Sequence, residues 1–166
     1  MEWIKEFKDL KELKVFLISQ LNYDEKNGFS FVGITSGFEL KEVANSLGEP
    51  ESLSTESEQQ QTLLYNAWVD HETEGRREHH KLNVLFLFFH NKPLEVIRIH
   101  FDYYKTGEFA TAFYQFIHEL FTSIVDKFGK PEKKSLRKAR EEITYVRENH
   151  MFWMWSNTEG LRIQIK

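Results

Sequence analysis

The chain has 166 residues, 40% of them hydrophobic and 29% charged, with a formal charge of -4 and no cysteine. That mixture belongs to a folded globular chain, long enough for one well-buried core or for two small halves sharing one. The missing cysteines exclude disulfides, thiol catalysis and cysteine-ligated zinc, and the acidic balance runs against a general nucleic-acid binder.

Residues 2–21 place Trp3, Ile4, Phe7, Leu10, Leu17 and Leu21 on one side, the spacing of an amphipathic helix, and Val15 and Phe16 widen that stripe. The opening MEWIKEFKDLKELK lacks the apolar core of a signal peptide, and no run approaches the roughly 18 apolar residues of a membrane span. A cytoplasmic protein without membrane contact is expected. Residues 22–28 read as a turn and 29–34 as a short strand. Ser36 followed by Glu39 fits a capping box at the start of a short helix buried through Leu40, Val43, Ala44 and Leu47. Gly48 ends that helix, and the polar residues 49–61 read as a mobile connection.

Three strand candidates follow at 62–69, 82–90 and 94–101. A charged loop, 71–81, separates the first two, and Asn91-Lys92-Pro93 joins the last two as a hairpin. The strongest helix signal in the chain comes next, over residues 108–132. Phe109, Ala112, Phe113, Phe116, Ile117, Leu120, Phe121, Ile124, Val125 and Phe128 form one broad apolar stripe. Gly129 suits a left-handed helix end, and Pro131 cannot continue the helix. Beyond a basic connection lie strands at 143–148, 151–156 and 161–165. The last alternates Leu161, Ile163 and Ile165 with Arg162, Gln164 and Lys166, so one of its faces meets water.

Gly48 and Gly129 are 81 residues apart, as are Pro50 and Pro131, and Leu63-Leu64-Tyr65 matches Ile143-Thr144-Tyr145 at an offset of 80. The order of elements repeats as well. An α+β unit of two related halves is expected, with residues 33–104 and 105–166 each a helix followed by a three-stranded antiparallel meander. Residues 1–28 add an N-terminal helix and turn. The strands are expected to form one continuous curved sheet with helices packed on it.

A helix ending in Leu-Gly-x-Pro and followed by a strand meander resembles the repeat of β-lactamase-inhibitor-protein-like domains, over residues 33–101 and more loosely 109–166. Small outer-membrane-assembly lipoproteins resemble it too. Members of these families are commonly exported, whereas this chain shows no signal and no cysteine. The resemblance implies the fold and a habit of binding proteins on a concave sheet, and it brings no catalytic residues.

The residues offer little chemistry of their own. His71, Glu72, Glu74, Glu78, His79 and His80 could in principle hold a metal, but their spacing matches no known ligand set and a solvated charged loop is the better reading. Lys130, Lys133, Lys134, Arg137, Lys138 and Arg140 form a basic cluster without interleaved aromatics, diluted by Glu132, Glu141 and Glu142, which reads as a solvated connection rather than a phosphate site. No phosphate-cradling glycine loop or nucleophile elbow occurs. No catalytic residue, cofactor or metal is expected.

Arg98, His100 and Asp102 alternate and so share one strand face, where they are natural polar contacts. Met151, Trp153 and Trp155 oppose Phe152 and Met154, and Leu85, Leu87 and Phe89 oppose Leu82, Val84, Phe86 and Phe88. Both strands are apolar on both faces, so something must cover the second face of the sheet. The N-terminal helix is the expected cover, with a protein partner as the alternative. From this follows a non-enzymatic protein-binding domain, an inhibitor or immunity protein, with Trp153, Trp155, Met151, Arg98, His100 and Asp102 as candidate contacts. Nucleic acid is not an expected partner, and a homodimer could form along the edge strand 161–165. The competing reading is a small-molecule or enzyme pocket between sheet and helices, served by His100 and Asp102. A binder should expose an aromatic patch, and a pocket protein should show a deep cavity with converging polar groups.

Overall fold

A computed structural model describes residues 1–57, 59–73, 75–102, 108–137, 140–157 and 159–166. It is an α+β structure with three helices on a mostly antiparallel, open sheet. In chain order come β1 (Glu6–Phe7), α1 (Leu10–Gln20), β2 (Leu21–Asp24), β3 (Gly28–Phe31), β4 (Ile34–Thr35) and α2 (Leu40–Leu47). Then follow β5 (Ser52–Ser57), β6 (Gln60–Thr73), β7 (Arg76–Phe89) and β8 (Leu94–Asp102). The chain ends with α3 (Glu108–Phe128), β9 (Lys133–Arg137), β10 (Arg140–Arg147), β11 (His150–Asn157) and β12 (Gly160–Ile165).

Nine strands make the main sheet, in the order β1-β6-β7-β8-β12-β11-β10-β9, with β5 also on β6. The strands β2, β3 and β4 form a separate small sheet. β1 lies parallel to β6, whereas the other ladders of the main sheet are antiparallel. Residues 161–165 are therefore not an edge: β12 sits between β8 and β11 at the centre.

Several expectations need correction. α2 and α3 are each followed by four strands rather than three, because β5 and β9 lie in segments that sequence polarity marks as connections. The N-terminal helix is shorter than the apolar stripe suggests. Asp9 accepts from the backbone of Glu12 at 2.8 Å and starts α1, while Phe7 belongs to β1 and pairs with Val69. Leu21 leaves the helix for β2. At α2 the capping residue is Glu39, whose own N–H donates to the Glu42 carboxylate at 2.7 Å, so Ser36 has no part in the cap. Residues 71–73 and 76–81 of the charged segment are no loop but the continuation of the β6–β7 ladder, which runs in unbroken register from Gln60↔Phe89 to Thr73↔Arg76.

All three helices pack on one face of the main sheet. Phe113, Phe116, Ile117, Leu120, Phe121 and Ile124 of α3 are buried there, each contributing roughly 1.5–3 kcal/mol. The side chain of Phe109, also in the predicted stripe, lies outside the described residues. Phe113 stacks on Phe101 of β8 with ring centroids 5.9 Å apart. From α1, Phe16 meets Trp3 and Phe31, and Trp3 in turn meets Tyr65 of β6. Phe29 of β3 joins Phe128, Tyr145 and Phe152 in a second aromatic group on the same side. The inward positions of the strands, such as Leu63, Val84, Ile99, Ile163, Met154 and Ile143, are essentially inaccessible to water. The N-terminal helix thus adds to the helical layer and does not cover the sheet's second face.

Candidate functional site

The second face is built by alternation. Every residue whose neighbours on the strand point into the core must point the other way. The antiparallel registers then set the outward residues in rows. One row runs Leu64, Leu85, Arg98, Gln164, Trp153 and Thr144 from β6 to β10. The next runs Asn66, Asn83, His100, Arg162, Trp155 and Glu142. On the other side of the first row Leu87 pairs with Val96, and Met151 with Val146. All six residues singled out in the sequence therefore share one face, Arg98, His100 and Asp102 on β8 and Met151, Trp153 and Trp155 on β11, with β12 between them.

The centre of this face is ordered by its own contacts. Trp153 and Trp155 stand about 7 Å apart along their strand. They lean together until their ring centroids are 3.9 Å apart at 26°, which makes a single aromatic plate. The indole nitrogen of Trp153 donates to Glu142 at 3.3 Å, and Lys133 pairs with the same carboxylate at 3.1 Å. Arg162 pairs with Asp102 at 2.6 Å and also donates to the carbonyl of Leu161. The Nε–H of Arg98 donates to Gln164 Oε1 at 3.1 Å. Arg98 is exposed, whereas both tryptophans, His100 and Met151 are half-buried. Leu87 and Val96 pack down against the sheet, at 3% and 4% exposure. At the rim, Trp68 is 44% exposed, with the Lys81 ammonium 5.8 Å from its ring centroid.

Burial holds the His100 imidazole below its ordinary range, Arg162 and Arg98 push the same way, and Asp102 opposes them. It is therefore neutral at pH 7. The carboxylate of Asp102 is engaged by Arg162, and the described residues of this face present two guanidinium groups, a neutral imidazole, an amide and an aromatic plate.

Several residues of this face escaped the sequence reading. The alternation of β12 identifies Arg162 and Gln164 as water-facing, but only the β8–β12 and β11–β12 registers bring them between the two sets of candidates. Leu64 and Leu85 carry no signal that separates them from core residues.

The competing pocket finds no support in the positions of its residues. A cleft of about 440 Å³ lies between α1 and α3, lined by Asp9, Lys11, Lys14, His71, Gln115, Phe116 and Glu119 among others. His100 and Asp102 are on the opposite side of the sheet. The histidine-rich segment is held within the hairpin: Asp70 binds Arg77 and lies 2.5 Å from His79, and the buried His80 lies 3.4 Å from Glu78. Glu74 lies outside the described residues. Among the described residues, no three histidine or acidic side chains converge in a way that could hold a metal ion. Of the basic cluster, Lys133 and Lys134 belong to the exposed edge strand β9, while Lys138 lies outside the described residues. Among those residues, too, no helix is long and apolar enough to cross a membrane.

No protein-family model matches the chain, and no curated protein matches it. Among solved structures it is similar to the crystal structure of a DUF4309 family protein, YjgB, from Bacillus subtilis, with 14% identity and a TM-score of 0.44 over 95% of this chain and 94% of that one.

Proposed function

We propose that the chain is a non-enzymatic, cytoplasmic protein-binding domain of inhibitor or immunity type, which holds its partner on the open face of the sheet. The observation that carries this reading is the face itself. A stacked tryptophan pair and two arginines lie together on a sheet whose described helices are all on the other side. Aromatic and arginine side chains dominate the energetics of protein interfaces, and a flat sheet presents them without the ordering cost of a loop.

The architecture is read as two related helix-and-meander halves, as in the β-lactamase-inhibitor-protein-like repeat. Two matched sets of hydrogen bonds support this. Tyr65 Oη donates to the Gly48 carbonyl at 2.8 Å and Tyr145 Oη to that of Gly129 at 2.7 Å. The N–H of Glu51 donates to Leu64 at 2.8 Å and that of Glu132 to Thr144 at 2.9 Å. The order β5-β6-β7-β8 followed by β12-β11-β10-β9 sets the last strand of each half side by side. Pairing with a second copy is a property of the outer strands β5 and β9, not of β12.

The test is a pull-down from native lysate with the wild type, a Trp153→Ala/Trp155→Ala variant and an Arg98→Ala variant, all checked for folding by circular dichroism. A protein retained by the wild type and lost by a folded variant is the expected result. A partner that both folded variants retain would place binding elsewhere on the molecule.

A further inference from the structure

The open face is not neutral, and its charge runs against that of the chain. The whole protein has 26 acidic and 22 basic side chains. On β8 and β12, however, the open face carries Arg98, Arg162 and, just past β12, Lys166 against Asp102, and on β10 it adds Glu142, which is paired with Lys133. Asp102 is already neutralised by Arg162. Beside this basic centre stand the half-buried Leu85 and Met151, with Leu87 and Val96 buried between them, and the face ends in the Trp153–Trp155 plate.

From this arrangement we infer that the face recognises an acidic segment of its partner protein, with a carboxylate on Arg98 and adjoining apolar side chains on the tryptophan plate. The inference rests on the protein-binding reading above and names the chemistry of that partner. Gln164 engages Nε of Arg98 and so fixes the plane of the guanidinium. Among the described residues no carboxylate pairs with Arg98, and its two terminal nitrogens match the spacing of carboxylate oxygens. His100 lies next to Arg98 on the same strand face and is neutral, so it adds a hydrogen-bonding edge without repelling a cation or competing as one. A single-stranded nucleic acid would also value arginine and stacked rings. The aliphatic side chains give its bases nothing to pair with, and Asp102 and Glu142 would face its phosphates. Rows about 7 Å apart along the strands and 4.8 Å apart across them suit alternate side chains of an extended peptide.

The experiment is a titration of the isotope-labelled protein followed through its indole N–H and backbone amide signals. Three probes are used: the capped tetrapeptide Leu-Phe-Glu-Glu, its counterpart Leu-Phe-Lys-Lys, and a ten-nucleotide oligothymidylate. The glutamate peptide is expected to shift the Trp153 and Trp155 indole signals and to saturate at a concentration at least tenfold below that of the lysine peptide. Arg98→Gln should weaken it at least fivefold while the spectrum stays folded, and Arg98→Lys, which keeps the charge and loses the fork, should fall between. Rising salt should narrow the difference between the two peptides. Equal or tighter binding of the lysine peptide at the same indoles overturns the acidic preference and leaves the binding face standing. Tighter binding of the oligothymidylate assigns the face to nucleic acid and overturns the inference. If no probe moves the indole signals, the inference also fails, and the lysate pull-down decides separately whether the face binds a protein.

Discussion

Tyr145 of β10 donates its hydroxyl to the carbonyl of Gly129, the residue that ends α3, at 2.7 Å. A helix leaves its last carbonyls without intrahelical partners, and a glycine turning into the left-handed region, here at φ 86°, directs the chain away from the axis. The tyrosine closes that end from the neighbouring strand. Tyr65 does the same for Gly48 at the end of α2, at 2.8 Å. Burial pushes the Tyr145 phenol up to about 12, so the proton needed for the bond is held throughout the ordinary pH range. Tyr145→Phe keeps the ring among Phe29, Phe128 and Phe152 and removes only the hydroxyl, so a loss of about 0.5–1.5 kcal/mol is expected in urea denaturation. Tyr65→Phe should cost about the same. The two sites are five strand spacings apart, roughly 24 Å. The double variant should therefore be additive to within about 0.5 kcal/mol.

Gly160 opens β12 opposite Asp102 with φ 146°, and a Cβ placed on it would lie 2.1 Å from the carbonyl oxygen of Phe101. That oxygen belongs to the backbone of a central strand and cannot move aside without breaking the ladder. Gly160→Ala is expected to lose on the order of 3 kcal/mol from strain and crowding together, visible as a lower thermal midpoint. A variant with an unchanged midpoint would mean that the β8–β12 junction is far more compliant than its packing indicates.

The contrast between legible and hidden elements has a physical cause. The Gly-x-Pro endings after α2 and α3 and the alternation of β12 are local signals, and the structure contains each where the residues place it. β5 and β9 escaped because an edge strand buries little: residues 52–56 are all exposed, and so are Lys133 and Lys134. β1 exists through its pairing with Trp68 and Val69, some 60 residues away in sequence, which no local pattern encodes. At the candidate site, Trp153 and Trp155 announced a shared strand face by alternation, as did Arg98, His100 and Asp102. That β12 would bridge the two sets depends on ladders between distant strands, and so does the identity of the open face.

His80 lies deep in the β6–β7 hairpin, 6% exposed, with its ring centroid 6.3 Å from that of Phe101. Burial lowers its basicity, Glu78 works against that, and His71 and His79 add to the lowering. The folded state therefore binds a proton less readily than the unfolded chain, whose histidines titrate near 6.5. Between that value and the lower folded one the unfolded state holds more protons, so stability falls as pH drops below about 6.5. His80→Leu should flatten the dependence of the thermal midpoint on pH between about 5 and 7. An unchanged slope in the folded variant would assign the acid sensitivity to another group.

Glu141 works with the opposite sign. It is an inward position of β10, opposite Ser156 of β11, and among the described residues its Oε2 is buried without a hydrogen-bond partner. Burial raises its carboxyl above the ordinary range, and His118 of α3 offsets only part of that. An acid whose folded value is raised contributes most to stability below its unfolded value, near 4.3, and loses that contribution as pH rises through the folded one. Burial therefore opposes ionisation of this carboxyl in the native state. Glu141→Gln keeps the shape and removes the charge, so the variant should melt higher than the wild type at pH 7 and show no advantage near pH 4. Parallel melting curves at the two pH values decide the matter. A variant that is less stable at pH 7 would show that the carboxylate is paired in solution and that its charge supports the fold.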